Sequence, residues 1–371
     1  MNGSGKHGRN TRGWLPWVAL GAALVVGGVI GGVIVAATRS SAAPTASSTS
    51  SSAGSVQVSA CNVISVSDQV LPSVVTISAS GRGGSGTGSG EIIKSDGYIL
   101  TNNHVIAVAA NGGSVEVLFA DGQTAPATIT GRDPQTDLAV IKVDTAPKLP
   151  VIAMGSSATV KVGEAAVVLG APLGLSGTVT SGIVSALDRT IHVPAENDTT
   201  ALLVSALQTD ASINPGNSGG AMVNCAGQLI GVPTAGATVP SSSGESSGGS
   251  IGLGFAIPVD LAKTISGEII ATGSVTHAFF GLGTVPVPAA AAAEGGVPQG
   301  LYVQSVVPGG PAAQAGLRQG DVITKINGQP ATSAVQLQEL TLTKKPGDTV
   351  ELEYWRNGQT ATATVTLGTQ P

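Results

Sequence analysis

The chain has 371 residues, room for about two globular domains with connecting segments, and its 17 Lys and Arg against 22 Asp and Glu give a formal net charge of -5. That acidic balance, with only 11% charged residues, argues against a nucleic-acid binder, which needs a basic patch. Two Cys and four His, none clustered, exclude a zinc ribbon, an iron–sulfur site or a disulfide-dense mini-protein, so no metal or cofactor is expected; 53 Gly and 21 Pro with 3% aromatics point to short strands and many turns.

Residues 1–13 carry Lys6, Arg9 and Arg12 and read as a cytoplasmic tail. Residues 14–38 contain no charge, and about 20 apolar residues span a bilayer core. Trp14 and Trp17 stand at the edge of this run, where indoles favour the interface, and only Arg39 follows closely. The expectation is one transmembrane helix in the cell membrane, N-terminus inside and the rest of the chain outside. The alternative is a long cleaved signal peptide, which exports the same residues. Gly27, Gly28, Gly31 and Gly32 either pack a helix dimer or are ordinary membrane-helix composition. Residues 39–60, almost all Ser, Ala and Thr, cannot bury enough apolar surface to offset ordering and read as a flexible tether.

Residues 61–275 form the expected first domain. Short β-branched runs at 73–78, 115–119, 138–143, 165–169, 182–186 and 228–232 are broken by Gly, Asn and Asp, a mainly β pattern. Residues 240–250 (PSSSGESSGGS) read as a surface loop, and 260–272 as a helix with Asp260 at its start and Gly273 beyond its end. Residues 276–371 form a second unit, with strands at 300–306 and 349–355, a helix at 335–341 and an enlarged Ala/Pro-rich loop at 286–296.

Three segments carry chemistry: TNNHV at 101–105, DPQTDLAVIKV at 133–143 and NPGNSGG at 214–220. A serine hydroxyl is a weak nucleophile and needs a base within hydrogen-bond reach, and histidine titrates near neutral pH. The base needs a buried carboxylate to fix its tautomer. His104, Asp137 and Ser218 supply the three groups. Asp133 competes with Asp137, which abuts the apolar run 138–143 and so should be the more buried. The glycines beside Ser218 let the backbone bend so that the N–H groups of Gly216 and Ser218 face one oxyanion.

These segments, with GLGFAIP at 252–258, resemble the HtrA/Deg family of trypsin-like serine proteases over roughly residues 63–367. The resemblance implies a chymotrypsin-like double β-barrel with the triad at the junction, followed by a PDZ domain. It implies an endopeptidase cutting misfolded or signalling proteins outside the cell membrane. The base of its P1 pocket falls on Ser212 and Ile213, without a carboxylate, which implies small aliphatic P1 residues. The chain departs from the family pattern at Ala221, where a proline is usual, and at Pro233, which removes a backbone donor. FFGLG at 279–283, the run 305–320 and DVITKING at 321–328 resemble an HtrA-type PDZ domain, with Phe280, Gly281 and Leu282 placed to capture a peptide C-terminus. The resemblance also implies a homotrimer built on aromatic residues near the first strand, but residues 63–78 contain none. Expected partners are therefore polypeptide substrates, peptide C-termini and the lipid bilayer, with no nucleic acid. Cys61 and Cys225 either bridge, as exported thiols tend to, or stay separate. A second class of function is a chaperone or peptide-binding scaffold with little hydrolytic activity.

Overall fold

A computed structural model describes residues 61–144, 148–170, 177–194, 200–236 and 250–370. The expected span at 14–38, the tether at 39–60 and nearly all of the loop at 240–250 lie outside them. Among the described residues no helix is long and apolar enough to cross a membrane.

The β-branched runs of the first half become six antiparallel strands: β1 (Val74–Gly81), β2 (Gly84–Ile92), β3 (Tyr98–Asn102), β4 (Ser114–Leu118), β5 (Thr124–Asp133) and β6 (Leu138–Val143). They close into a barrel in the order β1-β2-β3-β6-β5-β4. Alternation along each strand sends Val75, Ile77, Ile92, Ile99, Val117 and Ile141 into the barrel core. The opposite faces of β3 and β6 are also apolar: Leu100, Leu138 and Val140 face outward and need a second layer.

That layer begins with β7 (Ala153–Met154), β8 (Ala165–Gly170), β9 (Thr178–Pro194), β10 (Thr200–Thr209), β11 (Ala221–Val223), β12 (Gln228–Gly236) and β13 (Gly254–Pro258). These form a seven-stranded sheet in the order β11-β8-β9-β10-β13-β12-β7, and β11 also pairs with β12. A helix, Val259–Thr272, then covers the seam, burying Ala262, Ile265 and Ile269 against Leu100, Leu138 and Val140 of the barrel and Val232 and Ile257 of the sheet. It starts one residue before the expected position, so Asp260 lies in the first turn rather than at the cap. Desolvation opposes ionisation of Asp260, but hydrogen bonds from Ser156, Lys263, Ala158 and Ser157 win and hold its carboxyl far below the usual range. Gly273, at φ 80°, ends the helix as expected.

The C-terminal unit is a sheet of β15 (Leu282–Val287), β16 (Gly300–Val306), β17 (Val322–Ile326), β19 (Thr349–Arg356) and β20 (Gln359–Thr366), with β18 (Gln329–Pro330) paired to β17. A small ladder joins β14 (Ala278–Phe279) to β21 (Gly368–Thr369). Phe280, Leu301, Ile323, Leu337 and Leu352 form its core. The helix Val335–Thr343 has two working faces. Leu337, Gln338 and Thr341 line a groove of about 260 Å³ against Phe280, Gly281 and Leu282. Leu342 and Val335 turn the other way and pack on Leu202 and Val204 of β10, where Thr190 also hydrogen-bonds Glu339.

Two local expectations change. Residues 63–70, at the start of the domain read as mainly β, form a helix capped by Asn62, with Val66 and Val70 buried. The region 286–296, read as a loop, contains a helix at Ala289–Gly295, because five successive alanines have the highest helix propensity. Cys61 and Cys225 are disulfide-bonded, with Cα atoms 5.2 Å apart, tying the start of the Val63–Val70 helix to the turn between β11 and β12.

Candidate active site

Asp137 ends the tight turn between β5 and β6 and takes φ 57°, a left-handed conformation that aspartate tolerates better than most residues. Its backbone carbonyl accepts from Asn103 N (3.1 Å) and Asn102 Nδ2 (2.8 Å), fastening the turn to the end of β3. Its carboxylate accepts from His104 N (3.0 Å), from the His104 ring at Nδ1 (2.8 Å) and from the Thr234 hydroxyl. The Asp137 side chain is 4% exposed and that of His104 37%. The acid is shielded and the imidazole reaches solvent. An ionised carboxylate only accepts, so the ring carries its proton on Nδ1 and leaves Nε2 as a base.

Asp133, the competing carboxylate, is equally buried but committed elsewhere. It accepts from Thr136 Oγ1 at 2.5 Å and Gln135 N at 3.2 Å, and it pairs with His277 Nε2 at 2.9 Å. His277 is itself buried and immediately precedes β14.

Ser218 arrives on the loop between β10 and β11. A Cβ on Gly219 would lie 2.4 Å from Thr101 Oγ1 and 2.9 Å from Asn102 N. A Cβ on Gly88 would lie 2.5 Å from the Val105 side chain and 3.0 Å from Ser218 O. The loop thus closes directly on the segment that carries His104, and only glycine permits the approach. The Ser218 hydroxyl donates to Thr234 O at 3.2 Å. Thr234 therefore joins the set at both ends, with its carbonyl on Ser218 and its hydroxyl on Asp137. Sequence reasoning passed over Thr234, although the strand 231–235 that bears it was compared with the family's pattern. Gly216, at φ 100°, and Ser218 donate their backbone N–H groups to no backbone carbonyl among the described residues.

Of the expected pocket residues, Ser212 is exposed, and its carbonyl accepts from Thr180 Oγ1 at 2.9 Å. Ile213 is buried with Val168, Met222 and Ala256, its tip 2.6 Å from where a Cβ on Gly254 would stand. In the C-terminal unit Gly281 takes φ 73° between Phe280 and Leu282, beside the groove.

A sequence model of the trypsin-like peptidase domain matches residues 88–232, and one of the PDZ domain matches residues 278–367. Serine protease PepD of Mycobacterium tuberculosis is 43% identical over 314 residues, 83% of this chain and 66% of that protein. The periplasmic pH-dependent serine endoprotease DegQ of Escherichia coli is 41% identical over 287 residues, 76% of this chain and 60% of that protein. Thus the chain spans about half to two thirds of the length of the curated relatives it matches. Among solved structures, the HtrA-type protease AlgW with a decapeptide superimposes with TM-score 0.67 at 32% identity, covering 83% of this chain and 99% of that one.

The single-pass cell-membrane location expected from residues 14–38 is corrected by these relatives. DegQ and the DegP-like proteins of Halomonas elongata and Pseudomonas putida, at 41% identity, are named as periplasmic endoproteases. No described helix meets the length and apolarity of a span. Hydropathy measures the affinity of a segment for hydrocarbon, not where the finished protein resides, and the expectation had joined the two.

Proposed function

The chain belongs to the HtrA/Deg family of trypsin-like serine proteases with a C-terminal PDZ domain, and on that premise we propose that it is an endopeptidase whose triad is His104, Asp137 and Ser218. In this reading Ser218 Oγ attacks the scissile carbonyl carbon while its proton passes to His104 Nε2. The oxyanion formed is held by the N–H groups of Gly216 and Ser218. Collapse breaks the C–N bond, and His104 returns the proton to the leaving amine. Water, deprotonated by His104, then attacks the acyl carbon, the bond to Ser218 Oγ breaks, and His104 returns the proton to Oγ as the acid product leaves. Asp137 holds the ring tautomer throughout. The observation that carries the proposal is the clamp on Asp137, which binds Nδ1 of a half-exposed imidazole and, through Thr234, links the acid to Ser218.

The protease domain then covers residues 61–275 and the PDZ domain 276–371, and the extra β11–β12 pairing supports reading the second sheet as a second barrel. A small aliphatic P1 residue is supported by Ile213 and by the lack of a carboxylate at Ser212. The groove between Gly281 and the helix Val335–Thr343 supports capture of peptide C-termini. Ser218 on the Thr234 carbonyl supports a second reading in which this is a resting form, so that added C-terminal peptides raise the rate. The direct test is Ser218→Ala in the full chain. Casein cleavage and fluorophosphonate labelling are both lost at unchanged melting temperature; cleavage retained by the purified variant overturns the assignment.

A further inference from the structure

We infer that Ser89 is a positioning residue that sets the oxyanion-binding loop, an inference that rests on the protease reading above. Ser89 lies in Gly88-Ser89-Gly90 of β2 and is fully buried. Its hydroxyl donates to Gly216 O at 2.6 Å, and its backbone N–H donates to Ser218 O at 2.9 Å. Its own carbonyl accepts from Thr101 Oγ1 at 2.7 Å. One residue of the first barrel thus holds both carbonyls that bracket the Asn217–Ser218 peptide.

Peptide planarity gives this arrangement its force, because fixing a carbonyl also fixes the N–H on the same plane. The plane bearing Gly216 O carries the Asn217 N–H, which donates to Asn214 O at 3.0 Å. The plane bearing Ser218 O carries the Gly219 N–H, which donates to Pro233 O at 2.9 Å. Each plane is tied at both ends. The peptide between them, which presents the Ser218 N–H, is tied on its other side, where Asn217 O accepts from Gly220 N at 3.0 Å, and its tilt is further set by its two anchored neighbours. Gly216, at φ 100°, is a point of freedom in this loop, since glycine crosses between backbone regions at little cost. Only the Ser89 side chain restrains its carbonyl from the β2 side. The surrounding glycines show how close the strand runs: a Cβ on Gly219 would lie 2.4 Å from Ser89 O, and one on Gly220 3.1 Å from Ser89 Cβ. Without the hydroxyl, the buried Gly216 carbonyl loses a donor and the loop can rotate to recover one.

Catalysis depends on such donors being aimed before the reaction, so their loss is felt in the transition state and hardly in substrate binding. The experiment compares wild type and Ser89→Ala in the full chain, using a fluorogenic peptide with Val at P1, the matching peptide boronate and the free product peptide. The expected result is a kcat about ten- to hundredfold lower, smaller than for deleting an oxyanion donor outright. KM stays within about twofold, boronate affinity falls by the same factor as kcat, and product-peptide affinity is unchanged. A kcat within about twofold of wild type, or a matching loss of product-peptide affinity, overturns the inference. Should Ser89→Ala fail to fold, Ser89→Cys keeps the shape with a weak donor and lowers kcat at least about fivefold at constant KM; full kcat in that variant also overturns it. A wild-type chain that neither cleaves nor labels with fluorophosphonate overturns the protease reading itself, a result distinct from an active Ser89→Ala.

Discussion

Glu91 sits two residues beyond Ser89 in the same strand, opposite Val74 on one side and Leu100 on the other. It is fully buried, and neither carboxyl oxygen has a hydrogen-bond partner among the described residues. Burial raises its pKa well above the usual carboxylate value, with its own backbone opposing weakly. The folded-state pKa thus exceeds the unfolded one. The stability Glu91 contributes is fully present below the ordinary carboxylate range and is lost as pH climbs toward the raised value. The melting temperature of wild type relative to Glu91→Gln should therefore fall between pH 4 and pH 8; a constant offset across that range would show that Glu91 is not buried as an acid. His104, Asp137 and Ser218, the residues of the proposed triad, stand in motifs that the sequence displays openly. Glu91, Ser89 and Thr234 do not, because each is an ordinary strand residue whose meaning comes from which remote chain lies opposite.

The turn from Asp133 to Asp137 joins two tasks in one short element. Its far end presents Asp137 to His104, and its near end, through Asp133, grips His277 just ahead of β14 and the Phe280–Leu282 segment. Gln135 in the same turn hydrogen-bonds Gln370 at 2.9 Å. Removing one member of a buried polar pair strands the other, at a cost of about 1–3 kcal/mol. His277→Ala should lower the unfolding free energy by that amount and loosen the turn, so that kcat drops as well. His277→Asn should recover part of both, read by denaturant melts beside casein cleavage. The strand β6, apolar on both faces, was read at its true ends, whereas 182–186 and 228–232 mark only parts of the longer β9 and β12. Strand β2 escaped notice because GSGTGSGEI offers glycine where a strand pattern expects branched side chains, and it is the closeness of Val105, 2.7 Å (its carbonyl oxygen) from a Cβ on Gly86 and 2.5 Å (its side chain) from one on Gly88, that demands glycine there.

Across the whole molecule, the order of domains followed from motif order, but their mutual docking did not. Leu202 and Val204 against Leu342, and Thr190 against Glu339, pair residues that no local pattern links. The disulfide acts at this scale too. Its cysteines are 164 residues apart in sequence, and closing so long a loop is worth about 5 kcal/mol in the chain-entropy account, with 2–4 kcal/mol more typical in practice. Cys225→Ser paired with Cys61→Ser should therefore lower the thermal midpoint, and dithiothreitol should lower wild type to the same value while leaving the double variant unmoved. A last consequence follows from the division of labour between the two sheets. His104 and Asp137, the proposed base and acid, belong to the first barrel, whereas Ser218 belongs to the later sheet. In the proposed protease, a chain whose second sheet is undocked would therefore hold His104 and Asp137 without Ser218, and hydrolysis would require both layers.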